Sequence, residues 1–205
     1  MTRQLRMHIS FHWFLLDKLK NAQYFTKLDI CWGYNNIWIK EGDKWKTAFK
    51  TKLGIFKPIV MFFGLCNSSV IFQKMIDILF LVPLMEGWIL VYIDDILIFA
   101  PNKELLKKYT HKILQILANN DLYLNLEKCK FKKEEIKYLG FIISSRQIKI
   151  DPKKVYRILY WPKPKTVHQV HLFLGFGNFY HRFIYHYSEL ARPLINLTKK
   201  NQLFS

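Results

Sequence analysis

The sequence of 205 residues is poor in cysteine, with only three. Cys31, Cys66 and Cys129 are far apart and have no CxxC spacing. This argues against a disulfide framework and for reduced thiols in an intracellular setting. It also argues against a zinc site, because no cysteine pair lies near His168 and His171.

Long hydrophobic runs are absent as well. The most apolar stretch, "ILFLVPLMEGWILVYI", is interrupted by Pro83, Glu86 and Gly87, and two aspartates follow it at once. It is shorter than a spanning helix requires. The N-terminal 20 residues lack the apolar core and cleavage site of a signal peptide. We therefore expect no transmembrane segment, no signal peptide and no membrane partner.

Acidic residues are few, at 15 against 32 Lys and Arg, and the formal net charge is +17. Residues 1–100 have 12 basic and 8 acidic side chains, whereas residues 101–205 have 20 and 7. Such a field attracts polyanions, of which nucleic acid is the usual one. Two alternatives stay open: lysines that only keep an apolar chain soluble, and a membrane surface. The second is disfavoured because the basic residues do not fall on one face of an amphipathic helix.

Strand and helix patterns are both present, without regular βαβ alternation, which predicts an α+β fold. Strand-like stretches occupy residues 22–30, 31–43, 44–64 (with a turn at Gly54), 88–100, 122–131 and 136–144. Helical spacing occupies residues 68–80 (capped by Ser68 or Ser69), 101–120 (capped by Asn102) and 167–187 (capped by Thr166).

Two adjacent aspartates, Asp94 and Asp95, interrupt the apolar stretch "GWILVYIDDILIFA". In a straight strand one of them would face the core, which is costly for an unpaired carboxylate. The pair therefore predicts a hairpin tip with arms Trp88–Ile93 and Ile96–Ala100. A bound Mg²⁺ or Mn²⁺ would remove the repulsion between the carboxylates, and Asp29, at the end of its own strand, is the candidate for a third ligand. An ordinary surface turn is the alternative.

The "YIDD" stretch resembles the Tyr-x-Asp-Asp box of reverse transcriptases. Further blocks occur in the order seen in gypsy-type LTR retrotransposon polyproteins: "YFTKLDICWGYNNIWI", "KTAFKT", "FFGLCNSSVIFQ", "YLGFIIS" and "WPKPKTVHQVHLFLGFGNFYHRFI". The resemblance runs from about residue 7 to the end of the chain. It implies a right-hand polymerase fold, with an antiparallel palm sheet bearing the YIDD hairpin, partial fingers and a helical thumb.

The same resemblance implies the domain organisation. We expect residues 1–20 to be a remnant of the fingers or a lead-in, and residues 21–143 to be the palm, with a fingers insertion at about 37–62. Residues 144–205 would be the thumb and the start of the connection. We further expect a truncation at both ends, because fingers strands upstream and an RNase H domain downstream are usual in the family.

The function implied is that of an RNA-directed DNA polymerase, which transfers a nucleotide from a dNTP to a primer 3′-hydroxyl with two Mg²⁺ or Mn²⁺ ions. Asp29, Asp94 and Asp95 match the catalytic, metal-binding carboxylates. Residues matching the nucleotide-binding positions are Ile30, Cys31, Trp32, Gly33, Tyr34 and Phe63. Residues matching primer or template contacts are Tyr92, Ile93, Leu139, Gly140, Lys128, Lys130 and Arg182.

Some of these assignments have plain structural alternatives. Tyr34 matches the residue that fills the space of a ribose 2′-hydroxyl, but core packing would also explain it. Leu139 and Gly140 would otherwise belong to an ordinary strand. The lysines between residues 128 and 137 would otherwise form a solvated strand edge. Expected partners are an RNA template, a DNA primer or duplex, and dNTPs, in the cytoplasm, a virus-like particle or the nucleus. The oligomeric state is not predicted.

Departures from the family pattern support a second hypothesis. Phe62 and Ser69 stand where prolines are usual, Pro83 would end or kink the helix begun near Ser68, and "SSRQIKI" lacks the usual glycine turn. The second hypothesis is a catalytically inactive retroelement fragment that only binds nucleic acid.

Overall fold

A computed structural model gives the fold and describes Leu19, residues 21–145 and residues 147–199, without the side chain of Arg182. The chain divides into two compact units. The first comprises the chain up to Tyr138 together with Ile143–Ile148, and the second comprises Leu139–Ile142 together with the chain from Lys149 onward. The expected lead-in, residues 1–20, lies outside the described residues apart from Leu19.

Strands and helices are both present, so the predicted α+β class is confirmed. The strands are β1 (Tyr24–Asp29), β2 (Phe49–Thr51), β3 (Gly54–Phe56), β4 (Ile89–Tyr92), β5 (Asp95–Ala100), β6 (Lys130–Lys133), β7 (Glu135–Tyr138), β8 (Phe141–Ser144) and β9 (Ile148–Ile150). The α-helices are α1 (Ser68–Leu79), α2 (Leu81–Glu86), α3 (Lys103–Ala118), α4 (Pro152–Leu159), α5 (Val167–Phe179) and α6 (Tyr187–Asn196). Short 3₁₀ helices occupy Gly33–Asn36, Glu41–Thr47 and His181–Phe183.

The first unit is built on a four-stranded antiparallel sheet in the order β4-β5-β1-β6. β5 reads as a continuous apolar run because residues 96–100 are all buried. One face packs against α1 and α3, which contribute fully buried side chains including Phe72, Ile76 and Leu106. Burial of each such side chain stabilises the fold by roughly 1.5–3 kcal/mol. The sheet is therefore a rigid support for whatever lies at its ends.

One edge of this sheet is basic. β6 is one of the two edge strands, and all four of its residues, Lys130–Lys133, are exposed. Charged side chains on an edge strand discourage pairing with another chain. The remaining sheets are a two-stranded hairpin of β2 and β3 and a three-stranded sheet in the order β7-β8-β9.

The second unit is mainly helical. The predicted Thr166 cap is confirmed, since its side chain accepts a hydrogen bond from Gln169 N–H at the start of α5. Aromatic rings hold this unit together: Phe141 lies within 6 Å, between ring centroids, of Phe179, Tyr180 and Phe183. Edge-to-face and offset aromatic pairs of this kind each add roughly 0.5–1.5 kcal/mol beyond area burial.

The cap predicted for α1 was wrong by one residue. Asn67 is the N-cap and makes no side-chain cap bond, while Ser68 Oγ instead donates to Phe62 O at 3.2 Å. The expected effect of Pro83 is confirmed, because α1 ends at Leu79 and the chain restarts in α2. Pro83 sits in the first turn of α2, where its missing N–H has no intrahelical acceptor in any case.

Two predicted strands did not form. Residues 122–131 alternate leucines, yet they show only a single bridge, between Leu124 and Ile30, before β6 begins. The chain leaves α3 in a tight turn, with Leu122 N–H donating to Leu117 O, and this turn overrides the alternation. Likewise the alternation through Ile37 and Ile39 gives one bridge, from Trp38 to Val60. Within the described ranges, no helix is long and apolar enough to span a bilayer.

Candidate active site at the end of the central sheet

The predicted hairpin is present, and its turn is two residues long. β4 and β5 pair through Tyr92 and Asp95, which leaves Ile93 and Asp94 at the tip. Asp95 is the first residue of β5, so only one of the two aspartates lies in the turn itself. The difference follows from pairing, because Asp95 shares its register position with Tyr92.

The turn contains backbone strain at Ile93. Its φ is 52°, whereas Asp94 has no positive φ. A positive φ at the first central residue only is the pattern of a type II′ turn, where glycine is preferred. A β-branched residue in this region is an outlier that costs on the order of 1–3 kcal/mol. Such strain persists only when neighbouring structure fixes it.

Asp29 lies beside this turn. It is the last residue of β1 and stands opposite Asp95 in the antiparallel register. The next residue, Ile30, donates its N–H to Asp94 O at 2.9 Å. The sheet register thus brings the three aspartates to one end of the sheet, although Asp29 and Asp94 are 65 positions apart in the sequence.

Two of the three carboxylates form ion pairs with lysines. Lys27 Nζ lies 2.7 Å from Asp95 Oδ1, and Lys128 Nζ lies 3.5 Å from Asp29 Oδ1. Throughout the described part of the chain, no three His, Cys, Asp or Glu side chains form a ready-made metal-binding group. Lysine cations therefore compensate the carboxylates of Asp95 and Asp29 in this conformation.

Asp94 differs from the other two. Its Oδ1 is buried without a hydrogen-bond partner. Burial, and then the charges of Asp29 and Asp95, raise the pKa of the Asp94 carboxyl to about 6, while Lys128 opposes this shift. A buried carboxylate oxygen without a partner is costly. A hard divalent cation, whose preferred ligands are carboxylate oxygens, would supply the missing partner. The three carboxylates are therefore the kind of donor that such an ion takes, although they do not form a complete ligand group in this conformation.

The loop after Asp29 leads past the Asp94 side chain. Cys31 donates its N–H to Tyr123 O at 2.7 Å, and Trp32 follows with φ 56° and an exposed ring. Gly33 is buried, and a Cβ added there would lie 2.8 Å from Asp94 Oδ1 and would overlap the Phe72 ring. A side chain at Gly33 would fill the space beside the unpartnered oxygen. Sterics therefore require glycine at this position, in addition to the close approach of its backbone N–H to phosphate that the resemblance implies.

Tyr34 is 7% exposed and packs edge-to-face against two rings. Its ring centroid lies 4.8 Å from that of Phe63 and 5.4 Å from that of Phe72. Phe63 itself is 75% exposed. Tyr34 is therefore part of the core and at the same time supports an exposed aromatic side chain beside the loop.

The predicted primer and template residues are spread over both units. Tyr92 and Ile93 belong to the hairpin, and Lys130 is exposed on β6. Leu139 and Gly140, with φ values of 50° and 83°, form the turn between β7 and β8. Within the second unit they line a cavity of about 330 Å³ together with Lys154, Phe176, Phe179 and Tyr180. The side chain of Arg182 lies outside the described residues.

Three residues near the aspartates were not anticipated. Lys27 contacts Asp95, Gln73 accepts a hydrogen bond from Ile93 N–H at 2.7 Å, and Tyr138 donates its hydroxyl to Asp95 O at 3.2 Å. Lys27 could have been found, since it is two residues before Asp29 and so shares its face of β1. Nothing in the sequence indicates the pairing of Gln73 or Tyr138, because both come from distant elements.

Comparisons with known proteins give the relatives of this chain. Residues 3–143 match the family described as Reverse transcriptase (RNA-dependent DNA polymerase). Similar curated proteins include the retrovirus-related Pol polyproteins from transposons opus and gypsy of Drosophila melanogaster, 40% and 36% identical over 90% of this chain. The Tf2-3 transposon polyprotein of Schizosaccharomyces pombe is 34% identical over 91%. The chain spans only 18%, 18% and 14% of these relatives.

Solved structures with a similar fold include two of the foamy viral protease-reverse transcriptase. The dRH form in complex with double-stranded DNA gives a TM-score of 0.78 at 25% identity, covering 91% of this chain and 33% of that chain. The form in complex with an RNA/DNA hybrid gives a TM-score of 0.75 at 25% identity, covering 92% and 26%.

Proposed function

The chain belongs to the reverse transcriptase (RNA-dependent DNA polymerase) family, and from that premise we propose that it is the polymerase core of a gypsy-type LTR retrotransposon. The observation that carries the proposal is the meeting of Asp29, Asp94 and Asp95 at one end of the sheet, with a buried Asp94 oxygen that lacks a partner. Clustered carboxylates of this kind suit nucleotidyl transfer assisted by divalent cations.

Members of this family use divalent metal ions. We propose that Asp29, Asp94 and Asp95 hold two Mg²⁺ or Mn²⁺ ions, which when bound would neutralise charge on the reacting phosphate and activate the primer 3′-hydroxyl. Asp94 would contribute the oxygen that now has no partner. Lys27 and Lys128 would then be released from part of their present role as counterions.

The chain's own residues would orient the substrates. The loop of Ile30, Cys31, Trp32 and Gly33 would lie along the triphosphate of a dNTP, with Phe63 against the nucleotide. The buried Tyr34 ring would close the space that a ribose 2′-hydroxyl needs, because its contacts with Phe63 and Phe72 prevent it from moving aside. Specificity for dNTPs would then be a steric exclusion.

The nucleic-acid partners proposed are an RNA template and a DNA primer. Tyr92, Ile93, Leu139 and Gly140 would contact the primer end, and Lys128, Lys130 and Arg182 the phosphates. The foamy viral enzymes, which were solved with double-stranded DNA and with an RNA/DNA hybrid, support this proposal. So does the excess of basic residues after residue 100. Phosphate contacts position a duplex without reading its sequence, as copying requires.

We assign residues 21–143 to the palm, residues 37–62 within it to the fingers insertion, and residues 144–205 to the thumb and the start of the connection. The hairpin of β2 and β3 falls inside the fingers range, and helices dominate the thumb range, which supports the assignment. By analogy with its transposon relatives, the chain would act inside the cell, in the cytoplasm, the nucleus or a virus-like particle.

A second candidate is a retroelement fragment that binds nucleic acid without catalysis. The pairing of Lys27 with Asp95 and of Lys128 with Asp29 favours it, since these lysines already compensate two of the three carboxylates. In this case the basic surface would retain its function while the carboxylates would not.

Primer extension on poly(rA)/oligo(dT) with Mg²⁺ or Mn²⁺ separates the candidates. A polymerase is expected to extend the primer and to lose extension in Asp94→Asn/Asp95→Asn, with duplex binding retained by the variant. No extension by the unmodified chain, together with duplex binding that weakens steeply with salt, would support the binding fragment instead. Absence of both primer extension and duplex binding would contradict both candidate functions.

A further inference from the structure

The side chain of Gln73, which lies outside the hairpin, contacts the Ile93–Asp94 turn. Gln73 Oε1 accepts the Ile93 N–H at 2.7 Å, and Gln73 Nε2 donates to Asp77 Oδ1 at 2.8 Å. Only one orientation of the amide satisfies both contacts, because its oxygen must face the N–H and its nitrogen the carboxylate. Gln73 is therefore fixed at both polar atoms.

The helix that presents Gln73 is itself fixed. Its neighbours Phe72 and Ile76 in α1 are fully buried in the core of the first unit. The Phe72 ring also lies next to Gly33, whose Cα faces Asp94 Oδ1. Gln73 thus connects a helix that is fixed in the core to Ile93, the residue before Asp94.

The hydrogen bond that Gln73 accepts is donated by Ile93, the strained residue of the turn. Ile93 has φ 52°, a conformation that a β-branched side chain rarely adopts. Such a conformation persists when surrounding contacts impose it. The Gln73 acceptor thus acts beside the backbone bond from Ile30 N–H to Asp94 O, and its removal takes away one of the two contacts that hold the turn in this conformation.

We propose that Gln73 is a positioning residue of the active site, which keeps the Ile93–Asp94 turn in the conformation that presents the Asp94 carboxylate beside Asp29. The catalytic part of this inference rests on the proposed function. The effect of Gln73 on the turn can be measured without activity. Gln73 acts through Ile93 and is not assigned any contact with substrate.

The test is a double-mutant cycle in the full chain with Gln73→Ala, Ile93→Gly and the double variant. Alanine is a good helix former, so α1 is expected to remain intact. Glycine adopts positive φ without strain, so Ile93→Gly removes the need for the hold. Gln115→Ala, at an exposed glutamine of α3, is the matched control. The two readouts are hydrogen exchange of the residue-93 amide and the Kd for Mn²⁺.

In Gln73→Ala we expect the Ile93 amide to exchange about tenfold faster and the Kd for Mn²⁺ to rise about tenfold, the loss typical of one buried hydrogen bond. The Ile93→Gly background should largely abolish the effect of Gln73→Ala on Mn²⁺ binding. Gln115→Ala should change neither readout. Unchanged exchange in Gln73→Ala, or effects on Kd that simply multiply in the double variant, would overturn the inference.

Failure of the proposed function gives a different result. If the unmodified chain neither binds Mn²⁺ nor extends a primer, the polymerase proposal fails. Exchange at Ile93 then decides about Gln73 alone: faster exchange in Gln73→Ala supports its hold on the turn, and equal exchange overturns it.

Discussion

Lys27 Nζ lies 2.7 Å from Asp95 Oδ1, and both side chains are partly buried, at 20% and 27% exposure. The pairing follows from register, because Asp95 stands opposite Asp29 and Lys27 is two residues before Asp29 on the same face of β1. The chain thus supplies its own cation to Asp95 but leaves an oxygen of Asp94 without a partner. The adjacent aspartates Asp94 and Asp95 therefore have different environments, and we expect their substitutions to have different effects.

Replacing Lys27 with Met should destabilise the fold by about 1–3 kcal/mol, since it leaves the Asp95 carboxylate partly buried without its partner. Adding Asp95→Asn should recover most of the loss, because the uncompensated charge is then gone. Urea unfolding of the two variants measures both effects, with Lys130→Met on the exposed edge strand as control. Equal losses in Lys27→Met and Lys130→Met would contradict a stabilising role for this pair.

Asp94→Asn should stabilise the metal-free chain in a pH-dependent way. The pKa of the Asp94 carboxyl is raised from 3.8 to about 6, so the folded state binds this proton more tightly than the unfolded state does. The stability from that proton is fully present below about pH 4 and is lost as the pH rises through 6. The difference in Tm between Asp94→Asn and the unmodified chain should thus be small at pH 4 and reach a plateau above pH 7.

The measurement is thermal unfolding in a chelator from pH 4 to pH 8. Asp121→Asn, at an exposed aspartate just after α3, serves as the control. A difference in Tm that stays constant across this range would show that the Asp94 carboxyl does not titrate as described.

Lys128→Gln should change two binding reactions in opposite directions. Lys128 lies 3.5 Å from Asp29 Oδ1, so its loss should favour a divalent cation at that carboxylate and lower the Kd for Mn²⁺. If Lys128 also contacts phosphate, duplex binding should weaken, and the slope of log affinity against log salt should fall by about 1. Calorimetry and fluorescence anisotropy measure the two. Unchanged Mn²⁺ affinity would refute the competition.

Tyr34→Ala should raise the incorporation of ribonucleotides relative to deoxyribonucleotides, because it opens the space that the buried ring fills. It should also cost stability, on the order of 3–5 kcal/mol for an aromatic side chain in a core. Tyr34→Phe keeps the ring and should leave the ratio unchanged. The ratio is measured in single-nucleotide extension at low temperature. An unchanged ratio in Tyr34→Ala would return Tyr34 to core packing alone.

Local patterns predicted much of the fold. The strand that ends at Asp29, the turn at Gly54, and the helices capped by Asn102 and Thr166 are all observed. The resemblance to gypsy-type polyproteins is confirmed by the relatives. Hydrophobic alternation failed over most of residues 122–131, because a turn closing α3 determined the backbone there and pairing with β1 becomes continuous only in β6.

The sequence by itself determined the hairpin, since two charges in an apolar run leave a turn as the favourable place for them, and it determined the basic second half. Only the tertiary structure decided how the charges are compensated. Lys27 and Lys128 reach two carboxylates, Asp94 keeps an oxygen without a partner, and Gln73 holds a strained turn 20 positions away. The physical reason is that ion pairs and hydrogen bonds depend on distances of about 3 Å, which sheet register and helix packing set and which spacing along the chain does not.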